Sequence, residues 1–276
     1  MINTKEAEIR ISAIAKELAA DIAYRTLGGF RIGNLPNVFI VGGIRCGTTS
    51  LASFLSNSRS ATCGLRKEPG YFTRHFEQGA SYYRANFPER AEFIVDGTPD
   101  YMFRPVALER LAATIENPRI LVMLRDPFAR AKSHYLHALR YGWKNLIPFE
   151  QAVSPNNVAQ NLFHLKLDKT LPGMDFMYAE QSCYDYQIQR LRTMFESVHV
   201  MCMENWVRFP LIETHSLCNF LQIATDTFEH DSFPHINKGS SSSVGFKNDW
   251  PPFDEGFFRE ENEIYYNSLR RAEGKL

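Results

Sequence analysis

The sequence lacks closely spaced cysteines, long apolar runs and an excess of either charge, and each absence excludes a class of protein. Its five cysteines are widely spaced and form no Cys-x-x-Cys pair, so neither a disulfide framework nor a zinc site is indicated. Lys plus Arg and Asp plus Glu each number 31, which argues against a general binder of nucleic acid or anionic membranes. No run of about 18 apolar residues occurs, so no membrane span is expected. We also expect no signal peptide and a reducing, cytoplasmic compartment.

Apolar side chains are abundant enough for one sizeable core, since hydrophobic residues make up 44% of the 276 residues. The periodicity of the first segment predicts an amphipathic helix and a glycine-rich linker over residues 1–35. That helix either packs on the body of the protein or docks a partner or a second copy of the chain. Residues 36–276 are expected to form a single domain.

Four short apolar runs, separated by stretches long enough for helices, indicate a parallel sheet. They lie at 38–41, 93–95, 120–124 and 198–203. Helices are predicted at 107–115, 184–195 and 211–221, with a last one over 257–269. Residues 142–182 are interrupted by Pro and Gly, so this segment is either a lid or a surface connection. The fold class is therefore α/β, a three-layer sandwich with a central parallel sheet.

A glycine-rich turn follows the first strand and leads into a helix, in the sequence Gly42-Gly43-Ile44-Arg45-Cys46-Gly47-Thr48-Thr49-Ser50. Glycines let backbone N–H groups turn toward an anion, and the helix start adds partial positive charge and unpaired donors. The turn is therefore predicted to be a P-loop-like phosphate site. It is not a Walker A loop, because no lysine follows Gly47, and it is not a G-x-G-x-x-G dinucleotide loop.

A second basic segment follows the third predicted strand, with Arg125, Arg130 and Ser133 in its first turns. Taken alone, such a helix start is usually a salt-bridged surface. Two phosphate-seeking segments at the carboxyl ends of two parallel strands suit one nucleotide that carries phosphates at both ends. Arg130 is expected to have a structural, ion-pairing role, and His134 is expected to pack within its helix.

These motifs resemble those of the sulfotransferases that use 3′-phosphoadenosine 5′-phosphosulfate (PAPS). The first is Arg45-Cys46-Gly47-Thr48-Thr49, and the second is Arg125-Asp126-Pro127 continued by Arg130 and Ser133. A third segment, Lys67-Glu68-Pro69-Gly70-Tyr71-Phe72, is similar to one in the carbohydrate, heparan-sulfate-like branch. The resemblance is to a soluble, bacterial-type member of that branch.

The resemblance implies a role for each motif. The donor's 5′-phosphosulfate would contact Arg45, Cys46, Gly47, Thr48, Thr49 and Ser50, and its 3′-phosphate would contact Arg125 and Ser133. The carbohydrate branch usually has lysine where this chain has Arg45, and arginine does not readily give up a proton. Arg45 is therefore expected to stabilise charge on the departing phosphate rather than to act as an acid.

The resemblance also implies residues for the chemistry and for the acceptor. Glu68 is the candidate general base, while Lys67, Asp96 and Thr98 are candidates for the acceptor site. Lys238 and Gly239 are candidates for a further donor contact in a loop near the C-terminus. The acceptor would be a hydroxyl or amine of a carbohydrate or another small molecule, and no metal is called for.

Two other functions remain open from the sequence. A P-loop-type kinase of small molecules shares the strand, turn and helix, but it needs a lysine and a magnesium-holding carboxylate that the sequence does not offer. A noncatalytic nucleotide-binding protein would keep the fold and use the N-terminal helix for assembly. Binding of the desulfated donor without turnover would indicate the second alternative.

Overall fold

The computed structural model describes residues 33–140, 147–154, 177–224 and 262–272, together with positions 22 and 156. The predicted N-terminal helix, Lys238, Gly239 and most of the predicted 142–182 insertion lie outside the described residues. In chain order the strands and helices are β1 (Val38–Gly42), α1 (Thr48–Ser56), β2 (Ala61–Cys63), α2 (Gly79–Ala85), β3 (Phe93–Asp96), α3 (Pro105–Thr114), β4 (Arg119–Leu124), α4 (Pro127–Arg140), α5 (Phe149–Ala152), α6 (Tyr184–Met194), β5 (Ser197–Cys202), α7 (Met203–Arg208), α8 (Pro210–Leu221) and α9 (Glu263–Ala272).

Shorter helical turns connect some of these elements. A π-helical turn covers Tyr71–His75, and 3₁₀ turns cover Phe76–Gln78, Pro99–Phe103 and Glu180–Ser182. The turn at Pro99–Phe103 follows β3 closely, so it lies near the carboxyl end of that strand.

The five strands form one parallel sheet in the order β2-β3-β1-β4-β5. β1 is the central strand, and all five of its residues are buried. From β1 the chain first builds the β3 and β2 side of the sheet and then the β4 and β5 side. Ligands of parallel α/β sheets bind at such a reversal, outside the carboxyl ends of the strands.

Both faces of the sheet are covered by helices, as the alternation of side chains along β1 shows. Phe39 and Val41 pack in one core cluster with Leu108 and Leu111 of α3. Val38 and Ile40 point to the other face, where the second cluster includes α1 and α8. The predicted three-layer α/β sandwich is confirmed.

The structure adds one strand that the sequence analysis missed. β2 has only three residues and pairs with β3 at the edge of the sheet, through Ala61 opposite Phe93. A run this short carries little periodic signal. The last predicted strand also ends one residue earlier than expected, because Met203 begins α7.

Candidate active site

A cavity of about 380 Å³ opens at the carboxyl edge of the sheet. Residues that follow each of the five strands line it: Thr48 after β1, Glu68 after β2, Asp100 after β3, Arg125 after β4 and Met203 after β5. The cavity therefore extends across the sheet, with the loop after central β1 in its middle. This is where the topology leads one to expect a ligand.

The loop between β1 and α1 has a conformation that depends on two glycines. Gly42 has φ +150°, and a Cβ there would collide with the carbonyl oxygen of Met123 on β4. Gly47 has φ +91° and is the N-cap of α1, whose first turn contains Thr48, Thr49 and Ser50. The loop thus presents unpaired N–H groups and hydroxyls at a helix start, which is an arrangement that binds phosphate.

Arg130 supports this loop from inside the protein. Its side chain is completely buried, and its Nη1 donates to the carbonyl oxygen of Ile44 at 3.0 Å. Its Nε donates to the hydroxyl of Ser182, which in turn donates to the carbonyl oxygen of Pro127 at 2.8 Å. The role of Arg130 is structural, as predicted. Among the described residues, however, its hydrogen-bond partners are a carbonyl, a hydroxyl and the imidazole of His134 at 3.4 Å rather than a carboxylate.

The two predicted phosphate segments meet at Arg45. Its Nε donates to Ser133 Oγ at 3.2 Å, and Arg125 Nη1 donates to its carbonyl oxygen at 3.2 Å. Arg45 itself has φ +75°, an unusual backbone conformation for a residue other than glycine. The loop after β1 and helix α4 after β4 therefore form one basic site rather than two separate ones.

Of the described members of the predicted donor site, Ser133 does not line the cavity, and neither does Cys46. Its side chain is completely buried, with Sγ 3.8 Å from the hydroxyl of Tyr184. Burial raises the pKa of the Cys46 thiol. The side chain therefore packs below the loop, and the backbone N–H of Cys46 donates within the loop to the carbonyl oxygen of Gly43 at 3.1 Å.

Glu68 lines the cavity on the β2 side, next to Lys67. Lys67 Nζ lies 2.7 Å from Glu68 Oε1 and 3.1 Å from Thr48 Oγ1. The lysine thus connects the candidate base to the phosphate-binding loop. A carboxylate and an ammonium group therefore lie side by side next to the phosphate-binding loop.

Asp96 and Thr98 lie behind the cavity wall and do not line it. Asp96 is completely buried and accepts hydrogen bonds from Thr98 Oγ1 at 2.6 Å, Tyr83 Oη at 2.6 Å and Tyr101 Oη at 3.0 Å. Burial raises the pKa of Asp96 to about 6, although these hydrogen bonds lower it. Thr98 Oγ1 also accepts from the backbone N–H of Gly70 at 3.2 Å. Both residues thus support the turn that carries Glu68.

The sequence analysis missed three polar residues of the cavity, namely Arg74, Asp100 and His137. Arg74 Nη1 lies 3.4 Å from Asp100 Oδ2, which is also 3.6 Å from Arg104 Nε. Asp100 belongs to the same sequence segment as Thr98, so that segment could also have indicated Asp100 as a residue of the site. Arg74 lies in the π-helical turn, which the sequence pattern does not predict.

His137 lies on α4 one turn beyond Ser133 and faces the cavity. Burial, together with the positive charges of Arg45 and Arg140, lowers its pKa to about 4. His134 on the same helix is instead completely buried and packs against the ring of Tyr178 at 4.8 Å, in agreement with the packing role expected for it.

Neither a metal-binding cluster nor a membrane-spanning helix is found among the described residues. No group of three or more His, Cys, Asp or Glu side chains is arranged to hold a metal ion in the described residues. No helix in the part of the chain that the structure describes is long and apolar enough to cross a membrane.

No protein-family model matches the chain. A membrane-associated sulfotransferase, kil1 of Dictyostelium discoideum, is 29% identical over 119 residues, which are 41% of this chain and 25% of the relative. The human heparan sulfate glucosamine 3-O-sulfotransferase 3B1 is 30% identical over 107 residues, which are 38% of this chain and 27% of the relative. These matches span about a quarter of each relative's length.

The solved structure of a sulfotransferase from Alicyclobacillus acidocaldarius superposes with a TM-score of 0.60 at 23% identity. The superposition covers 87% of this chain and 95% of that structure. The chain has the fold of this sulfotransferase, and about two fifths of the chain is similar in sequence to other sulfotransferases. The α/β sandwich and its phosphate-binding loop are accordingly the sulfotransferase fold, as the motifs implied.

Proposed function

We propose that the protein transfers a sulfuryl group from PAPS to a hydroxyl or amine of a carbohydrate or other small-molecule acceptor. One observation carries the proposal. Ser133 and Arg125 both bond to Arg45, so that the two phosphate-seeking segments form one basic site beside a carboxylate. A nucleotide with phosphates at both its 3′ and 5′ positions suits this arrangement better than one with a single phosphate chain.

The donor would be held by residues that fit its charges. Arg45 and the hydroxyls of Thr48, Thr49 and Ser50, together with the backbone N–H groups from Gly47 onward, would bind the 5′-phosphosulfate at the start of α1. Arg125 and Ser133 would bind the 3′-phosphate. The fit rests on the cradle itself, since Gly42 and Gly47 have positive φ and a side chain at Gly42 would collide with β4.

The transfer would be an in-line displacement at sulfur. The acceptor oxygen forms a bond to sulfur, and Glu68 takes the proton that this oxygen loses. The bond from sulfur to the bridging oxygen breaks, and its electron pair stays on the 5′-phosphate of the departing 3′-phosphoadenosine 5′-phosphate. Arg45 and the loop N–H groups stabilise the charge that grows on that phosphate. Most of the rate enhancement would come from positioning and electrostatics.

The acceptor would lie on the side of Glu68, where the cavity wall is polar. Arg74 and Asp100 line this region and offer hydrogen bonds and charges of both signs. Such a wall favours an acceptor rich in hydroxyl groups over an apolar one. The names of the matched heparan sulfate sulfotransferases also support a carbohydrate acceptor.

The cellular setting is part of the proposal. All five cysteines are free thiols in the structure, which supports a reducing compartment such as the cytoplasm. Assembly through residues 1–35 stays a prediction, because those residues lie almost entirely outside the described part of the chain.

The experiment is a transfer assay with ³⁵S-labelled PAPS. The acceptor panel contains glucosamine, N-acetylglucosamine, a heparan-type oligosaccharide, tyramine and 2-naphthol. We expect label on at least one of the carbohydrate acceptors. Tight binding of the desulfated donor with no transfer to any acceptor would instead indicate a noncatalytic nucleotide-binding protein.

A further inference from the structure

The side chain of Lys67 lies directly against Gly97, the residue that follows β3. A Cβ placed on Gly97 would be 2.9 Å from Lys67 Cε and 3.4 Å from Lys67 Cδ. The two backbones are joined as well, since the N–H of Gly97 donates to the carbonyl oxygen of Lys67 at 3.0 Å. Lys67 therefore occupies the space that a side chain at position 97 would need.

Glycine is not required at this position by the backbone. The positive-φ glycines of the described residues are Gly33, Gly42, Gly47, Gly70 and Gly79, and Gly97 is not one of them. The backbone conformation at position 97 is therefore one that alanine can adopt, and the added Cβ would lie 3.2 Å from the carbonyl oxygen of Lys67 as well as 2.9 Å from its Cε. What the glycine provides is the room for the lysine side chain.

The backbone on the other side of Gly97 is tightly held. Thr98 N–H donates to Asp96 Oδ1 at 3.0 Å, and both of these neighbours are buried. Position 97 consequently has little freedom to move away from an added methyl group. Lys67 Cε belongs to the outer part of a long, flexible chain, so the lysine would move and the fold would stay.

The contact between Lys67 and Gly97 matters because of where it holds the Lys67 ammonium. Nζ lies 3.1 Å from Thr48 Oγ1 of the phosphate-binding loop and 2.7 Å from Glu68 Oε1. Thr48 and Glu68 both line the cavity. An ammonium group has three N–H donors, and these two contacts account for two of them. The ammonium thus lies between one lining residue of the donor side and one of the acceptor side, although Lys67 does not itself line the cavity.

We propose that Gly97 is a positioning residue for the transfer, because its missing side chain lets Lys67 hold its ammonium against the sulfuryl group between Thr48 and Glu68. This inference rests on the proposed function. The three sulfuryl oxygens share negative charge throughout the displacement, and the fixed ammonium offsets it. No proton leaves Lys67 in this role, and the bonds formed and broken at sulfur are those of the displacement itself.

The test is a double-mutant cycle with Gly97→Ala, Lys67→Ala and the double variant. The assay uses ³⁵S-labelled PAPS and the acceptor that the panel shows to be fastest. We expect Lys67→Ala to lower kcat roughly 100-fold, in the range found when one transition-state donor is removed. Gly97→Ala should lower kcat by about tenfold or more but bind 3′-phosphoadenosine 5′-phosphate within about twofold of wild type. In the double variant the alanine at 97 should add less than about twofold, because the side chain it displaces is gone.

Gly79→Ala is the matched control. A Cβ at Gly79 would meet no atom within 4 Å, and φ there is +80°, so this variant strains the backbone away from the cavity. We expect it to lower Tm and leave kcat unchanged. A crystal structure of Gly97→Ala supplies a readout that does not depend on activity, since Lys67 Nζ should have left Thr48 Oγ1.

The outcomes separate this inference from the function it rests on. Wild-type transfer with an unchanged kcat in Gly97→Ala would refute the positioning role and leave the function standing. An equal loss from Gly97→Ala with and without Lys67 would also refute it, because the effect would not pass through the lysine. No wild-type transfer of sulfate from PAPS to any acceptor would remove the proposed function, and the role of Gly97 in it.

Discussion

Arg45 donates through Nε to Ser133 Oγ at 3.2 Å, and this contact joins the loop after β1 to the helix after β4. The two residues are 88 positions apart in the chain, yet both were assigned to donor binding from their motifs. Their contact means that the two proposed phosphate-binding segments touch, so that a phosphate bound by one segment would orient a residue of the other.

Ser133→Ala should weaken binding of 3′-phosphoadenosine 5′-phosphate about tenfold. The variant removes one donor to the 3′-phosphate and also the hydroxyl that orients Arg45, and each hydrogen bond to a charged group contributes roughly 1.5–3 kcal/mol. Isothermal titration calorimetry measures the change. Ser154→Ala is the control, since Ser154 hydrogen-bonds only locally, to the carbonyl oxygen of Gln151. Unchanged affinity in Ser133→Ala would remove Ser133 from the donor site.

Glu68→Gln should lower kcat by roughly 10²- to 10⁴-fold, the usual contribution of a general base. The affinity for the desulfated donor should stay close to that of wild type, because the carboxylate lies on the acceptor side. Glu77→Gln is the matched control, since Glu77 is 89% exposed and contacts Arg110 rather than the cavity. Near wild-type turnover in Glu68→Gln would show that another group takes the proton.

Asp96 should make the protein less stable as pH rises. Its pKa is about 6 in the folded protein and 3.8 as its ordinary value, so the folded state binds this proton more tightly than the unfolded state. The contribution of Asp96 to the free energy of unfolding is therefore greatest below about pH 4 and falls as pH rises through about 6. Chemical denaturation of wild type and Asp96→Asn at pH 4.5 and pH 7 measures it. The stability of wild type relative to the variant should decrease between these two pH values; an increase would contradict the raised pKa.

His137 should remain neutral down to about pH 4. Arg45 is one of the charges that lower this pKa, so Arg45→Ala should shift the midpoint upward, toward the ordinary value of 6.5. NMR titration of the imidazole resonances measures both midpoints. An unchanged His137 midpoint would show that Arg45 does not act on it.

The strands were predictable where they are fully buried. β1 and β4 read as continuous apolar runs because helices cover both faces of the sheet. The positions of the phosphate-binding residues followed from that topology, since strands that run parallel bring their carboxyl ends to one edge. β2 escaped prediction because three residues at an edge do not produce a pattern.

The parts of the site that escaped prediction depend on contacts between distant segments. No local pattern indicates that Lys67 lies against Gly97, because that contact depends on the pairing of β2 with β3. The sequence does not show which of the two histidines on α4 faces the cavity. The packing of α4 shows that His137 faces the cavity and His134 faces the core. Asp96 was expected near the acceptor, yet its complete burial gives it a supporting place instead.

The central claim is that one site binds a nucleotide with phosphates at both ends, and calorimetric titration tests it most directly. The protein is titrated with 3′-phosphoadenosine 5′-phosphate, with adenosine monophosphate and with ATP in the presence of magnesium. We predict that the first binds far more tightly than the other two, and that Arg125→Ala removes most of this preference. A preference for ATP with magnesium would contradict the account and favour a kinase.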